Sequence, residues 1–577
     1  DGSIVLFAED ALTLEAGSIV AASGAAGGDI LVQSRAGTVL AGGRIAAEGT
    51  EAGGGRIRLL GDQVGVVGNA VVSADGATGG GEILVGGNLK GGGPEPNADA
   101  VFVGAETNVT ASATEAGDGG TVIAFGENLL RMQGVLSARG GPAGGDGGFV
   151  ETSAVQGLEI SAVPDVTAPD GEGGLWLIDP EGIRIVADGT ATPPLAVDEY
   201  GGGFFTPQDP FGFDTNDLEV GLIDAALSGG ATVAVDTTSR STAYGGIVWD
   251  AVLNLDETTN GLGNTLNLLA SDEVIFTGNA RLLDPEGTLS FLNIEAPNGT
   301  VLEDGALVSV PLTAVEVADS LAENTNGLLR MRGGQLVAQT LFVPTITVSE
   351  LVATPDAVSA LTLGTATSQQ NLNIEDGTVL DLTTTQLSVS NTLSVLGTVR
   401  SGTLTFTGNR NVFDGAGTPT LDGTEFVLQA GTIGIDEDVA LLNGAEFRNA
   451  GTLGLTGTAA LQGDGSVVND AVGVITLFAS TAAGNADITL AALDNRGTLV
   501  LNTDGGMSST NLLVDGAFSS SNVFRVQNAG PNGSIEGALQ LTAGVFEVQS
   551  SVTLNPGTSG GSIVLGGTST TTISPGA

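Results

Sequence analysis

Gly-Gly-Phe-Val-Glu-Thr-Ser at residues 147–153 and Gly-Gly-Leu-Trp-Leu-Ile-Asp-Pro at residues 173–180 share one form, a glycine pair followed by a short apolar or alternating run. The form recurs upstream. Gly2, Gly28, Gly55, Gly81, Gly120, Gly148 and Gly174 each stand before a strand-like run, among them Asp-Ile-Leu-Val, Arg-Ile-Arg-Leu-Leu, Glu-Ile-Leu-Val and Thr-Val-Ile-Ala-Phe. Their spacings are 26, 27, 26, 39, 28 and 26 residues. A near-constant period in this range marks a solenoid, in which each repeat completes its core and its backbone hydrogen bonding only against its neighbours. The 39-residue interval holds an insertion at residues 90–100, carrying Gly-Gly-Gly-Pro-Glu-Pro.

Within the period 28–54, residues 30–32, 38–40 and 44–46 read as short strands, separated by Ser-Arg-Ala-Gly and Ala-Gly-Gly turns. Three strands and three turns describe one triangular coil. The inward positions are Ile, Val and Leu, which suit a pleated surface. The glycines supply either positive φ at corners or close approach of backbones. The expected fold is all-β, a parallel β-helix. An antiparallel sandwich does not account for a glycine-pair period held over six intervals.

At 577 residues the chain would ordinarily divide into several domains, but a solenoid grows in one dimension. Ninety-two glycines and 4% aromatics argue against large globular cores, and 41% hydrophobic residues argue against disorder. No run of 18 apolar residues is present, and no N-terminal basic-plus-apolar leader. The first residues are already repeat, and so are the last, Gly-Gly-Ser-Ile-Val-Leu at 560–565. The chain therefore reads as part of a longer protein. At ~4.8 Å per coil, roughly 20 to 25 coils would make a rod on the order of 100 Å.

The 66 acidic residues outweigh 17 basic ones, for a net charge of −49, and Lys90 is the only lysine. That balance argues against nucleic-acid partners, which need basic patches, and against anionic membranes. It suits a soluble, self-repelling surface, and calcium is the cation such acidity could hold. The absence of cysteine removes disulfides and thiol chemistry.

Residues 134–154 and 168–185 resemble the filamentous-haemagglutinin-like exoproteins of bacterial two-partner secretion. The resemblance is carried by Gly-Gly-Asp-Gly-Gly-Phe-Val-Glu-Thr-Ser-Ala and by Gly-Glu-Gly-Gly-Leu-Trp-Leu-Ile-Asp-Pro-Glu-Gly-Ile-Arg-Ile. It is strongest over 120–185 and extends more weakly to about residue 280. It implies a right-handed parallel β-helix, exported through an outer-membrane β-barrel transporter to the surface of a Gram-negative-type bacterium. The family's N-terminal secretion domain is not evident here.

Beyond the regular array, 1–187, the pattern changes. Residues 188–215 hold Pro193-Pro194, three consecutive glycines and the clustered aromatics Tyr200, Phe204, Phe205, Phe211 and Phe213. They read as an extruded loop whose aromatics fold over the flank. Residues 216–229 read as a short helix, with Asn216 and Glu219 as a capping box and Gly229 as its end. Leu218, Leu222, Ile223 and Ala226 share its apolar face. Coils resume at 231 and run to about 300. Residues 301–577 form a further β-helical part with shorter coils, and residues 315–323 suggest a second short helix. Asn449, Asn495 and Asn528 each precede a glycine by two positions. The reading is structural, with left-handed corners and amides paired between coils.

With no histidine and no cysteine, the usual metal sites and catalytic triads are out of reach. No catalytic, cofactor-binding or metal-binding residue is assigned. Asp118, Asp146 and Asp170 sit in glycine-rich turns without the tandem nonapeptide of calcium solenoids, so they read as turn residues. Asn108, Asn298 and Asn532 head three-residue glycosylation patterns of low specificity. The expected function is a secreted or surface-displayed adhesin or stalk, not an enzyme, whose partner is a host or neighbouring-cell receptor or glycan. The alternative is a subunit that polymerises end to end into an extracellular filament or sheet. A polysaccharide-cleaving enzyme would need three or more acids clustered on neighbouring coils.

Overall fold

The computed structural model describes residues 2–191, 216–239, 245–255, 264–318 and most of 328–573. Within the last span, residues 344, 349–357, 364, 366, 410–411, 414–418, 457–458, 480–485, 504–509, 528–533, 542–544, 549–552, 556–563 and 566–569 lie outside the description. The protein is all-β, a parallel β-helix with a single described α-helix. It divides into two compact units, the first formed by 1–301 with 306–327 and the second by 302–305 with 328–577.

In the first unit the glycine-pair runs stack in register. Ser3–Ala8 pairs with Asp29–Ser34, which pairs with Arg56–Leu60, then Glu82–Val85, Thr121–Met132, Phe149–Ala154, Leu175–Ile178 and Thr232–Asp236. A second ladder joins Leu12–Leu14, Thr38–Ala41, Gln63–Val66 and Ala98–Val103. A third joins Ile19–Ala21, Arg44–Ala46, Val71–Ser73, Asn108–Thr110 and Val135–Ser137. Alternate residues point inward, so Ile30, Val32, Val39, Ala41 and Ile45 are all fully buried. Trp176 is buried too, and its indole N–H donates to the Thr152 hydroxyl one coil back at 2.9 Å. Val150, Thr152, Trp176 and Ile178 are thus the inward residues of the two runs quoted first.

The glycine pairs are there for close approach, not for positive φ. A Cβ on Gly55, Gly81, Gly120, Gly148 or Gly174 would fall 2.0–2.2 Å from the carbonyl oxygen of the equivalent glycine one coil back. That same carbonyl accepts the next ladder bond, as when Phe149 N–H donates to Gly120 O at 2.9 Å and Leu175 N–H donates to Gly148 O at 2.9 Å. The corner is so tight that no side chain fits between the coils.

The helix begins later than its sequence suggests and has no capping box. Asp217–Glu219 is a strand paired with Ile183–Val186, and the helix runs Val220–Ser228. The Asn216 amide instead accepts from Leu158 N–H at 3.0 Å and donates to Gly182 O at 2.9 Å. Sheet pairing outcompetes a cap that the local spacing alone would allow. Gly229 does end the helix, and its buried residues are Val220, Ile223, Ala226 and Leu227. Leu218 is buried from the strand, and Leu222 is only partly covered. The helix takes the place of a third strand in its coil, packing on Thr232–Asp236 and Val252–Asn254. The loop expected at 188–215 lies outside the described residues from 192 onward.

No second helix begins at 315. Residues 315–318 end the strand Leu307–Ala318, where Val315 and Val317 alternate inward, and 319–323 lie outside the description. In the second unit coil length varies: Glu425, Glu446 and Ser466 stack in register at steps of 21 and 20 residues, whereas Asn469, Asn495 and Ser520 are 26 and 25 residues apart. Phe413, Phe426 and Phe447 pack together in its core, with Phe426 and Phe447 ring centroids 4.8 Å apart. Thr432–Ile435, Thr452–Thr456, Val474–Ala479, Thr498–Thr503 and Val523–Gln527 form one continuous parallel ladder.

The asparagines of this unit form an amide ladder. Leu428, Asn449, Asn469, Asn495 and Ser520 occupy one register position in successive coils. The Asn449 amide donates to Asn469 Oδ1 at 2.8 Å, Asn469 donates to Asn495 Oδ1 at 2.7 Å, and Asn495 donates to the Ser520 hydroxyl at 2.9 Å. Each amide also reaches a backbone carbonyl: Val474, Thr498 and Val523 respectively, at 3.1–3.2 Å. All three asparagines are fully buried and none adopts positive φ. The left-handed corner is therefore not their reason, and the inter-coil amide pairing is. Asn528 lies outside the described residues.

Candidate functional site

On the outer face of the first sheet, Leu84, Ile123, Glu151, Leu177 and Ala234 lie in one register row. Alternation would leave such a row facing water. Here Leu84, Ile123 and Phe125 are instead a buried apolar cluster, with Phe149 and Val155 packed against it. The cover is the insertion. Its last residues, from Ala98, are already ladder strand, so the extruded part ends at 97. The Asn97 amide holds it closed by donating to Gly91 O at 2.8 Å and to Glu127 Oε1 at 3.2 Å, while Gly91 sits against the Phe125 ring.

This strap is fastened by charge at both ends. Towards the start of the chain Glu95 pairs with Arg58 at 2.9 Å and approaches Arg56 at 4.0 Å, and Arg58 also grips both Asp29 oxygens at 2.9–3.0 Å. On the other side Lys90 adopts a left-handed conformation with φ 53° and ψ 29°. Its backbone N–H donates to both Glu151 oxygens at 2.9 and 3.1 Å, and its ammonium pairs with Asp236. Asp179 lies beside them, its Oδ2 accepting from the Ser239 hydroxyl at 2.6 Å. Lys90, Phe125, Val155, Asp179, Pro180 and Ser239 line a small space of about 10 Å³, room for about one water.

Burial pushes the Glu151 carboxyl from the ordinary 4.5 up to about 7, opposed by the hydrogen bonds from Lys90 N–H and the Ser153 hydroxyl and reinforced by the nearby Asp179 carboxylate. A raised pKa in the folded state favours the neutral acid. The stability tied to neutral Glu151 is thus fully present below about pH 4.5 and is lost as pH rises through about 7. We expect Glu151→Gln, which stays neutral and can still accept from Lys90, to be more stable than the parent at pH 8 by ~2–3 kcal/mol. The gap should close below pH 4.5. Urea melts across pH check it, and a gap independent of pH would refute the neutral acid.

Glu151, Asp179 and Asp236 sit on three neighbouring coils, the arrangement a glycan-cleaving solenoid would need. They are, however, nearly inaccessible, at 0%, 5% and 4% exposure. Among the described residues, no group of three or more acids is arranged to hold a metal ion. Asp118 and Asp146 have turn roles: Asp118 Oδ1 accepts from Asp146 N–H, and Asp146 Oδ1 from Glu172 N–H, each at 2.9 Å. Asp170 lies in the next turn of that column. Asn108 and Asn298 are exposed, and Asn532 lies outside the description.

A more open groove, about 580 Å³, crosses the second ladder and is lined by Leu40, Val67 and Phe102 with Glu15 and Glu106. The residues that organise the strap were not assigned from sequence. The signals were Lys90, unique in the chain and inside the insertion, and two acids, Glu151 and Asp179, inside the most distinctive runs. No protein-family model matches the chain, and no curated protein is significantly similar to it.

Proposed function

We propose that the chain is a secreted or surface-displayed exoprotein that acts as an adhesin or extended stalk and leaves the cell by two-partner secretion through an outer-membrane β-barrel. One observation carries this reading. The two runs that resemble filamentous-haemagglutinin-like exoproteins are consecutive coils paired in parallel within a β-helix, so the resemblance and the fold it implies fall on the same residues. Two physical features support it. A chain without cysteine crosses a narrow pore with no disulfide to reduce. A solenoid folds by adding coils to those already formed, which suits a chain that emerges end first. The acidic surface keeps neighbouring copies apart at low ionic strength.

The test is made in the native host. An antibody to the chain should label intact cells, and deleting the partner barrel should abolish that labelling while the chain is still made. Intact cells unlabelled in both strains, with the chain present in their lysates, overturn the export route. Saturable binding of the purified chain to host cells or glycans distinguishes adhesin from stalk. A regular axial repeat built from this chain, seen by electron microscopy, would replace both readings with a polymer.

A further inference from the structure

The strap places the chain's only lysine against a carboxylate 146 residues away. Asp236 is buried, with 4% exposure, and it ends the strand Thr232–Asp236. One coil back, Asp179 occupies the equivalent position, directly after Ile178, which pairs with Val235. Phe125, Val155, Asp179 and Pro180 line a small space on one side of Lys90, whose side chain is 32% exposed. The Lys90 backbone is pinned by Glu151, and its left-handed φ aims the side chain from a fixed point. Asp236 is oriented as well: Oδ1 accepts from Thr238 N–H at 2.8 Å and from the Thr238 hydroxyl at 2.6 Å, while Oδ2 faces the lysine.

We propose that Lys90 and Asp236 condense to an intramolecular isopeptide bond, tying the strap to the coil of Thr232–Asp236. Proton transfer within the ion pair gives an amine and a carboxylic acid. The Nζ lone pair attacks Cγ of Asp236, and the negative charge that develops on Oδ1 is met by the two Thr238 donors already in place. The bond from Cγ to the Oδ2 hydroxyl breaks. The proton lost from Nζ passes through the Asp179 carboxylate to that hydroxyl, and one water leaves. An amide remains, with no oxidant or reductant required. Pre-positioning supplies the driving geometry: Glu151 fixes the Lys90 backbone and Thr238 fixes the Asp236 carboxylate, which is itself buried. A chain without cysteine gains its covalent cross-link from this pair.

Intact-mass spectrometry of the folded, full-length protein should give the sequence mass less one water. Proteolysis should yield a branched peptide joining the segment that contains Lys90 to the one that contains Asp236. In denaturant, where a mere ion pair would come apart, an amine-reactive reagent should fail to label Lys90. Lys90→Arg should restore the full mass. Asp236→Asn should still cross-link but lose ammonia in place of water; a succinimide at 236 would lose the same masses, and the branched peptide with an unlabelled Lys90 tells the two apart. An unmodified mass overturns the proposal. So does a mass lower by one water in a protein whose denatured Lys90 is labelled, because the water was then lost elsewhere. Both readings are made on the unmutated protein and stand even if the variants fail to fold.

Discussion

Replacing Gly148 with alanine is expected to destabilise the first unit by ~3 kcal/mol or more. The added Cβ would lie 2.2 Å from Gly120 O and 2.6 Å from Gly119 C, both backbone atoms of the preceding coil. A side chain could swing away, but this carbonyl already accepts from Phe149 N–H and cannot move without breaking the ladder. The damage is not confined to one coil, because each repeat is stabilised mainly by its neighbours. Gly53→Ala is the control. A Cβ there meets nothing closer than Gly79 O at 3.7 Å, and its φ is not in the left-handed region. It should leave the melting temperature unchanged or raise it slightly through the unfolded state. Equal effects of the two substitutions would mean that the glycine pairs serve flexibility, not contact.

In the second unit, Asn469→Ala should cost ~3 kcal/mol. The amide stands at the middle of the ladder. Its loss strands the Asn449 donor on one side and the Asn495 acceptor on the other, both in buried residues, and removes a donor from the half-buried Thr498 carbonyl. Each unmet buried group costs ~1–3 kcal/mol, partly relieved where a second partner remains. Asn449 keeps such a partner in Val474 O. Asn469→Asp should be at least as harmful, since a carboxylate can accept from Asn449 but cannot donate to Asn495. Urea melts of the two variants provide the measurement. Hydrogen exchange should show the loss concentrated around 446–500, and an unchanged midpoint would show that the ladder carries no net stability.

The glycine pairs made the solenoid legible because their constraint is local. A residue that must have no Cβ leaves its mark at every coil, whatever the rest of the coil contains. The strap was visible only as an interruption of the period. Its fastening pairs residues far apart in the chain, Lys90 with Glu151 and Asp236, and no spacing rule links them. Glu151 is an outward residue of an alternating strand. Alternation cannot say that another segment lies on top. Asn216 and Glu219 matched a capping box in spacing, yet the pairing of Asp217–Glu219 with Ile183–Val186 decided the conformation. Asn469 escaped notice because Asp-Ala follows it where Asn449 and Asn495 have a glycine two positions on. Its place in the ladder comes from register, a property of the stacked coils.

The cross-coil arginine pairs also bear on survival in a medium that contains proteases. A trypsin-like enzyme needs a basic side chain it can engulf and several residues of backbone free to lie extended in its cleft. This chain offers 17 basic residues among 577. Arg56, Arg131, Arg184, Arg400 and Arg448 each lie in a strand whose backbone is paired on both sides. Each also has its guanidinium engaged by a carboxylate from an adjacent coil. Cutting there requires first opening a coil between two neighbours. The shortage of cleavable bonds and the ladder that hides them act together, so the folded coils resist digestion at these arginines for as long as they stay stacked.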